Sequence, residues 1–334
     1  MTEEHQSIVD DTPIHVLDLP QIYTRPSASI LLQTLARLAI KPSSWTAGAE
    51  FDRGSEDDVA PIDEHGIPQY LTSIISNELL WIEDEDDRER VWEAASARLS
   101  ERSGRTAQSN LSRTFLIPRP LPSTSPIHIT LLEPSLTGDN LGHKTWLSAY
   151  LLARRLPSLL PTLFPINPPL HILELGAGTG LLGLTVAALL PQAAVHLTDL
   201  PAIIPNLVQN THVNGHLFAS APSVGVLDWS ESASTNKQHD LILASDPLYS
   251  PQHPAWLVGT ISRQLSTKRD AKVVMELPLR DAYLGEVHEM RHRMLGAGLR
   301  LLDSGEEVGR EDWGDSHGVE RGEVRCWWGV WGWA

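Results

Sequence analysis

The chain of 334 residues contains a single cysteine, Cys326. One thiol cannot form an internal disulfide and cannot build a cysteine-based zinc site. Long apolar runs are also missing, since the longest, Leu181 to Leu190, is about half of what a membrane span requires. The N-terminal sequence MTEEHQSIVDD lacks the basic region and apolar core of a signal peptide. These absences predict a soluble, cytoplasmic protein with no membrane partner.

Basic residues are scarce as well. Lysine and arginine number 26 against 42 aspartates and glutamates, which gives a formal net charge of −16 at pH 7. Nucleic-acid binding depends on basic surface that displaces counterions, so this balance argues against a nucleic-acid partner. Much of the acidic excess lies in residues 55–58 (SEDD) and 83–87 (EDEDD). We interpret these as a solvated loop and a helix N-terminus, with a docking surface for a basic partner as the alternative.

Metal-ligating patterns are absent too. Of the 14 histidines, His288 and His292 have helical i, i+4 spacing, but no third ligand is near and we place them on a solvated helix face. We therefore expect no metal.

The composition predicts one large domain with an appendage. Residues 1–126 form the appendage, which is mainly helical and carries an acidic loop at 46–68 and one strand of a hairpin. One helix is capped by Ser27 or Ser29, and another runs from about Asp86 to Glu101. Residues 127–334 form the larger domain.

The chain is organised around residues 170–183, LHILELGAGTGLLG. The short apolar run that opens this segment is typical of a buried parallel strand. Gly176, Gly178 and Gly180 then permit a sharp turn into a helix and let backbone N–H groups approach a ligand closely. This pattern predicts a site for a nucleotide-containing cofactor.

Two cofactors fit this turn. Gly178-x-Gly180-x-x-Gly183 satisfies the dinucleotide fingerprint, and Asp199 follows at about the 20-residue offset expected of a ribose ligand. Glu174, two residues before the first glycine, instead resembles motif I of the S-adenosylmethionine (AdoMet) methyltransferases. A pyrophosphate disfavours a nearby carboxylate, whereas the ammonium of AdoMet tolerates one. A NAD-binding oxidoreductase stays open at this point.

Polar residues follow the next predicted strands at the sheet edge where α/β proteins bind ligands. Asp199 ends the second strand, where it can accept hydrogen bonds from both ribose hydroxyls. Asp228 and Trp229 end the third, where we expect contact with the adenine amino group and stacking on its ring. Residues 245–249, SDPLY, end the fourth. Core packing alone does not explain this repetition.

The last two predicted strands discriminate between the cofactors. Residues 299–302 and 323–333 read as strands with no helix between them, which indicates a hairpin and not a parallel crossover. An antiparallel final strand is the arrangement of the seven-strand methyltransferases and not of nicotinamide domains. The predicted fold class is therefore α/β, a Rossmann-like sheet of six parallel strands and one antiparallel strand.

Taken in order, residues 127–334 resemble methyltransferase family 16, the seven-strand lysine methyltransferases. The motifs that carry this resemblance are K-T-W (144–146), E-L-G-A-G-T-G (174–180), L-T-D-L (197–200), L-D-W (227–229) and D-x-x-Y (246–249). A fungal branch that methylates translation elongation factors is similar in L-L-W-I (79–82), ASARLSERSGRTA (95–107), R-T-F (113–115) and E-L-P-L-R (276–280). Pro247 departs from the smaller or aliphatic residue of many relatives.

The resemblance implies AdoMet as cofactor and a protein partner, elongation factor 2 or, in some fungi, elongation factor 3, bound through a lysine by a monomeric enzyme. It implies that Asp246 and Tyr249 face the target lysine. The implied cofactor-binding residues are Trp146, Glu174, Gly176, Ala177, Gly178, Asp199, Asp228, Trp229 and Ser245.

Alternatives remain at this level. Trp146 is either a wall of the cofactor pocket or a core anchor. The pocket motifs do not set the size of the acceptor, so a small-molecule N-methyltransferase is the second hypothesis. A non-catalytic binding module is the third, although intact motif I, Asp246 and Tyr249 argue for an enzyme.

Overall fold

The computed structural model describes residues 13–39, 62–63, 65–102, 111–120, 125–134, 141–165, 169–231, 238–310 and 323–334. The chain divides into two compact units. Among the described residues, those up to 102 belong to the first unit and those from 111 onwards to the second.

The described residues of the first unit form the α-helices α1 (Ala28–Arg37), α2 (Ile67–Ile75) and α3 (Glu85–Glu101). Ser27 caps α1 by accepting a hydrogen bond from the Ile30 N–H, as the sequence predicted. Helix α3 begins one residue earlier than predicted, behind an Asp84 cap, with three acids in its first turn. Of the predicted acidic loop, residues 46–61 and 64 lie outside the described residues, and 67–68 open α2.

The second unit begins earlier than the predicted boundary at residue 126. Strand β1 (Leu111–Ile117) pairs along its whole length with β2 (Ile127–Glu133) in an antiparallel hairpin, and both strands lie in this unit. The Asn210 and Asn214 side chains bond to the backbone of β2. The sequence boundary was placed too late because these contacts, about 80 residues apart along the chain, leave no local signal.

The main sheet has seven strands in the order β5-β4-β3-β6-β7-β9-β8. Strand β9 runs antiparallel to both of its neighbours, and every other adjacent pair is parallel, which confirms the predicted fold class. The strands are β3 (His171–Leu175), β4 (Ala194–Asp199), β5 (Ser223–Val226), β6 (Leu241–Ser245), β7 (Lys272–Pro278), β8 (Leu299–Arg310) and β9 (Glu323–Trp333).

Helices cover both faces of this sheet. Alternate strand residues enter two apolar clusters. One cluster is shared with the β1–β2 hairpin and the first three helices of the second unit, and the other is shared with the last two helices of that unit. The helices are α4 (Leu147–Leu163), α5 (Leu181–Leu189), α6 (Ile204–Val213), α7 (His253–Gln264) and α8 (Leu284–Gly296). Within the described part of the chain, no helix combines the length and apolar character needed to cross a membrane.

Helix α4 departs from the sequence prediction. The sequence predicts a helix that opens at Gly142 and runs through Leu152, with Pro157 and Pro161 beyond it, but Gly142 lies in a short 3-10 turn and α4 starts at Leu147. It then continues through Pro157 and Pro161. Each proline removes a backbone donor and disfavours the helix by about 3 kcal/mol. The buried apolar face of α4 offsets this cost, because each buried leucine contributes about 1.5–3 kcal/mol.

Gly183 in α5 provides a test of how closely this helix packs on the sheet. A Cβ at this position would overlap the Leu197 side chain of β4 and lie 2.6 Å from Glu174 Oε2. Gly183→Ala should therefore lower the free energy of unfolding by about 1–3 kcal/mol, although alanine ordinarily favours a helix. The control is Gly285→Ala in α8, where a Cβ meets nothing within 4 Å. Thermal melts should show a lower Tm for Gly183→Ala alone, and equal Tm values would contradict this packing.

Candidate active site

A cavity of about 390 Å³ opens where β3, β4, β5 and β6 end. This volume is within the usual range for small-molecule sites. All but one of the residues predicted for the site line it, namely Trp146, Gly176, Ala177, Gly178, Asp199, Asp228, Trp229, Ser245, Asp246 and Tyr249. Residues more than 100 positions apart meet here because parallel strands bring their carboxyl ends to one edge.

The glycine turn after β3 forms one wall of the cavity. Gly176 and Gly178 have φ values of +68° and +54°, in the left-handed region that side chains disfavour. A Cβ on Gly178 would lie 3.0 Å from the Gly142 carbonyl oxygen, and one on Gly176 would lie 3.1 Å from the Trp229 indole. Both positions therefore require glycine for conformation and for space.

Asp199 fixes this turn from the end of β4. Its Oδ2 accepts a hydrogen bond of 2.7 Å from the Gly178 N–H, and its Oδ1 accepts one of 2.7 Å from the Leu200 N–H. A carboxylate offers about four acceptor positions, so capacity remains for the hydroxyl groups of a ligand. Burial raises the pKa of Asp199 above its ordinary value, and the two N–H donors partly offset that rise.

Trp146 lies immediately before α4 and on the cavity wall. Its indole N–H donates to the Leu141 carbonyl at 3.2 Å, and the Arg280 guanidinium lies 5.6 Å from the ring centre. The side chain is only partly buried. The structure therefore favours the pocket wall over the core anchor.

Glu174 is the one predicted cofactor contact that does not line the cavity. Only 1% of this residue is exposed, and its Oε2 accepts a hydrogen bond of 2.8 Å from the Gly183 N–H. The acid of motif I thus ties β3 to α5 beneath the turn, and the predicted direct contact is corrected to a supporting one. Sequence spacing misled here because strand residues alternate between faces, and the local pattern does not say which face the ligand takes.

Asp246 and Tyr249 occupy the loop between β6 and α7. Asp246 has φ 46°, a strained value for a non-glycine residue, and its N–H donates to the Glu276 carbonyl at 2.9 Å. Tyr249 is 47% exposed at the cavity wall. Burial of the phenol, helped by the nearby Asp199 and Asp246 carboxylates, raises the pKa of Tyr249. The phenol therefore keeps its proton at neutral pH.

Several lining residues were not predicted, and they include Lys144, Thr145, His253, Trp256, Arg280 and Tyr283. Arg280 ends the E-L-P-L-R segment, so a signal was present, but its place at the cavity depends on the β7 register. His253 carried no signal, because its ring reaches the site through the turn after Tyr249. The described residues contain no group of three or more histidine, cysteine or carboxylate side chains able to hold a metal.

The chain is similar in sequence to proteins of a known family. A model of the lysine methyltransferase family matches residues 128–284. The protein-lysine N-methyltransferase rrg1 of Schizosaccharomyces pombe is 31% identical over 334 residues, which covers 97% of this chain and 98% of rrg1. The chain belongs to the lysine methyltransferase family.

The protein-lysine N-methyltransferase EFM2 of Saccharomyces cerevisiae is 34% identical over 268 residues, or 73% of this chain. The matched region spans 62% of EFM2, less than two thirds of its length. Among solved structures, coclaurine N-methyltransferase superimposes with a TM-score of 0.41 and 13% identity, covering 59% of this chain and 76% of that one.

Family membership confirms the predicted enzyme class, an AdoMet-dependent lysine methyltransferase, with AdoMet as the methyl donor. The antiparallel β9 agrees with this class and contradicts the nicotinamide alternative, which required a parallel final strand.

The residues present fit AdoMet. The glycine turn leaves backbone unobstructed where a Cβ would collide, and Asp199 has acceptor capacity for the ribose hydroxyls. The Trp229 indole beside Gly176 offers an aromatic wall for adenine. We assign these residues, with Trp146 and Ser245, as the ones that would hold the donor.

Removing the Asp199 carboxylate tests this assignment. Asp199→Ala loses a charged acceptor, and hydrogen bonds to charged groups are worth about 1.5–3 kcal/mol. The dissociation constant for AdoMet should therefore rise about 10- to 100-fold by isothermal titration calorimetry. Asp86→Ala removes the same charge from an exposed position on α3 and should leave the constant unchanged. Equal affinities for both variants would contradict the role of Asp199.

The buried Glu174 generates a pH prediction. Burial raises the pKa of Glu174 from its ordinary 4.5 to about 8. Between these values the unfolded chain releases a proton that the folded chain retains, so the stability that this group contributes below pH 4.5 is lost as the pH rises towards 8.

The Glu174→Gln variant lacks this loss. The difference in free energy of unfolding, variant minus wild type, should increase by up to about 1.4 kcal/mol per pH unit across that window. Urea unfolding between pH 5 and 8 measures it. Burial also raises the pKa of Glu276, to about 9, but both proteins share that effect and the difference isolates Glu174. Parallel curves for the two proteins would show that Glu174 is ionised when folded.

Proposed function

We propose that this chain is a protein-lysine N-methyltransferase whose acceptor is a translation elongation factor, in the first place elongation factor 2. The observation that carries the methyl-transfer part of the proposal is that Asp246 and Tyr249 line the same cavity as Gly176 and Gly178. A donor site and an acceptor loop thus share one cavity.

The chemical requirement is a neutral amine next to the donor. AdoMet, when bound, supplies an electrophilic methyl group on a sulfonium. A lysine with a pKa near 10.4 is about three pH units from deprotonation at pH 7.4, which costs about 4 kcal/mol. The apolar part of the wall, including Leu227, Pro247 and Trp229, excludes water and disfavours the charged ammonium.

Asp246 acts in the opposite sense, because a carboxylate stabilises the ammonium form. We therefore assign it to bind and orient the incoming amine and not to serve as a strong base. Its backbone is tied to β7 through the Glu276 carbonyl, so the carboxylate projects from a fixed point. Alignment of the amine with the methyl group should supply most of the acceleration.

Tyr249 complements this role. Its phenol, which keeps its proton, can donate a hydrogen bond or line the path of the lysine side chain. The ring is half exposed at the cavity mouth, where a side chain on another protein can reach it. This exposure favours a macromolecular acceptor over the small-molecule alternative.

The identity of the acceptor rests on similarity. Both relatives are named protein-lysine N-methyltransferases, and segments 79–82, 95–107 and 276–280 are similar to the elongation-factor branch. The net charge of −16 favours a protein acceptor that is not recognised through nucleic acid. The proposal includes a cytoplasmic, monomeric enzyme.

Isotope-labelled AdoMet tests the function directly. The wild type, incubated with a fungal lysate and with purified elongation factors 2 and 3, should place label on a lysine that mass spectrometry identifies. Asp246→Ala should lose at least 100-fold of this rate with the AdoMet dissociation constant nearly unchanged, because the amine loses its orienting carboxylate. The exposed Asp86→Ala is the matched control.

Other outcomes are informative. Label in a small metabolite would establish the alternative acceptor class. Near-normal turnover by Asp246→Ala would overturn its role, and label on a different protein would overturn the elongation-factor assignment.

A further inference from the structure

His253, the first residue of α7, lines the cavity, and the sequence analysis gave it no role. Its Nδ1 lies 3.0 Å from the carbonyl oxygen of Pro247, inside the D-x-x-Y loop. A carbonyl can only accept, so a hydrogen bond to Pro247 requires the proton on Nδ1. The Tyr249 N–H lies 3.5 Å from the same Nδ1 and would need the other tautomer. The Pro247 contact is the shorter of the two, and on that ground we assign the proton to Nδ1. His253 therefore ties α7 to this loop, which the bond from the Asp246 N–H to the Glu276 carbonyl also ties to β7.

The same imidazole packs against aromatic rings on both halves of the cavity. Its centre lies 4.2 Å from that of Tyr249, with the rings nearly perpendicular at 84°. It also lies 5.9 Å from the Trp229 ring at 75° and 5.9 Å from the Trp256 ring at 38°. One ring thus contacts the acceptor-side tyrosine and the tryptophan assigned to the donor side.

The loop needs such a support. Asp246 has a left-handed φ of 46° and precedes a proline, a combination that a free chain disfavours. Burial lowers the pKa of His253, and its hydrogen bond to Pro247 partly offsets the fall. The ring is therefore neutral above pH 7. Its single proton is the one that Nδ1 donates to the Pro247 carbonyl.

We propose that His253 is the positioning residue of the acceptor loop, which fixes Asp246 and Tyr249 through its Nδ1–H bond to Pro247 and its edge contact with the Tyr249 ring. This inference rests on the proposed function, because it assumes that the loop meets the acceptor. It also gives Pro247 a role, because its ring stiffens the loop and its carbonyl serves as the anchor.

Asparagine and glutamine variants separate this role from general packing. The amide nitrogen of asparagine can replace Nδ1, whereas that of glutamine extends to the position of Nε2. His253→Asn should keep kcat for methyl transfer within about threefold of the wild type. His253→Gln and His253→Leu should lower it about 10- to 100-fold, because a shift of about 1 Å at the reacting groups has that effect. The AdoMet dissociation constant should change less than fivefold in all three.

Hydrogen exchange gives a readout that does not depend on activity. The amides of Asp246 and of residues 248–250 should exchange faster in His253→Gln and His253→Leu than in the wild type and His253→Asn. His288→Leu, the same change at an exposed position on α8, is the control and should alter neither kcat nor this exchange. Melting temperatures identify any variant that fails to fold.

The inference is overturned if asparagine and glutamine have equal effects, or if exchange in the loop is the same in all variants. It is overturned equally if NMR of labelled histidine finds the His253 proton on Nε2. Should the wild type methylate no protein, the proposed function fails, and the exchange and NMR results still decide whether His253 holds the loop.

Discussion

The hydrogen bond from the Gly178 N–H to the Asp199 carboxylate is the constraint on which the site depends. It locks a left-handed glycine turn, the end of β3, onto the end of the neighbouring β4. From beneath, Glu174 holds the following helix through the Gly183 N–H. Two acidic side chains thus set the entry and the exit of one turn, and hydrogen bonds within the protein itself hold the wall for the donor. Such preorganisation lowers the cost of binding.

Three carboxylates near the cavity have different tasks because their surroundings differ. Asp199 faces the cavity with its oxygens half occupied by backbone donors. Glu174 is removed from water, and burial raises its pKa so far that the neutral form is favoured at pH 7. Asp246 stands on a strained loop that is bonded to β7 through Glu276 and to His253 through Pro247. The residue type alone does not tell these three roles apart.

The sequence was a good guide where a motif and its strand are adjacent in the chain. Four such motifs line the cavity, because each stands at the end of a strand that the sheet fixes. They are the glycine turn, Asp199, Asp228 with Trp229, and the D-x-x-Y loop. It was a poor guide to α4, where the prolines suggested an end that tertiary burial overrides. It also placed the domain boundary inside the β1–β2 hairpin.

By itself, the sequence determined the class of fold and the order of the site motifs, since apolar periodicity, glycine positions and the acids after each strand are local properties. Only the tertiary structure decided which side chains enter the cavity. It buried Glu174 outside the cavity lining and brought His253, Trp256 and Arg280 to the wall. The physical reason is that strand register, helix docking and turn geometry set the direction of a side chain, and each depends on contacts between residues far apart in the chain.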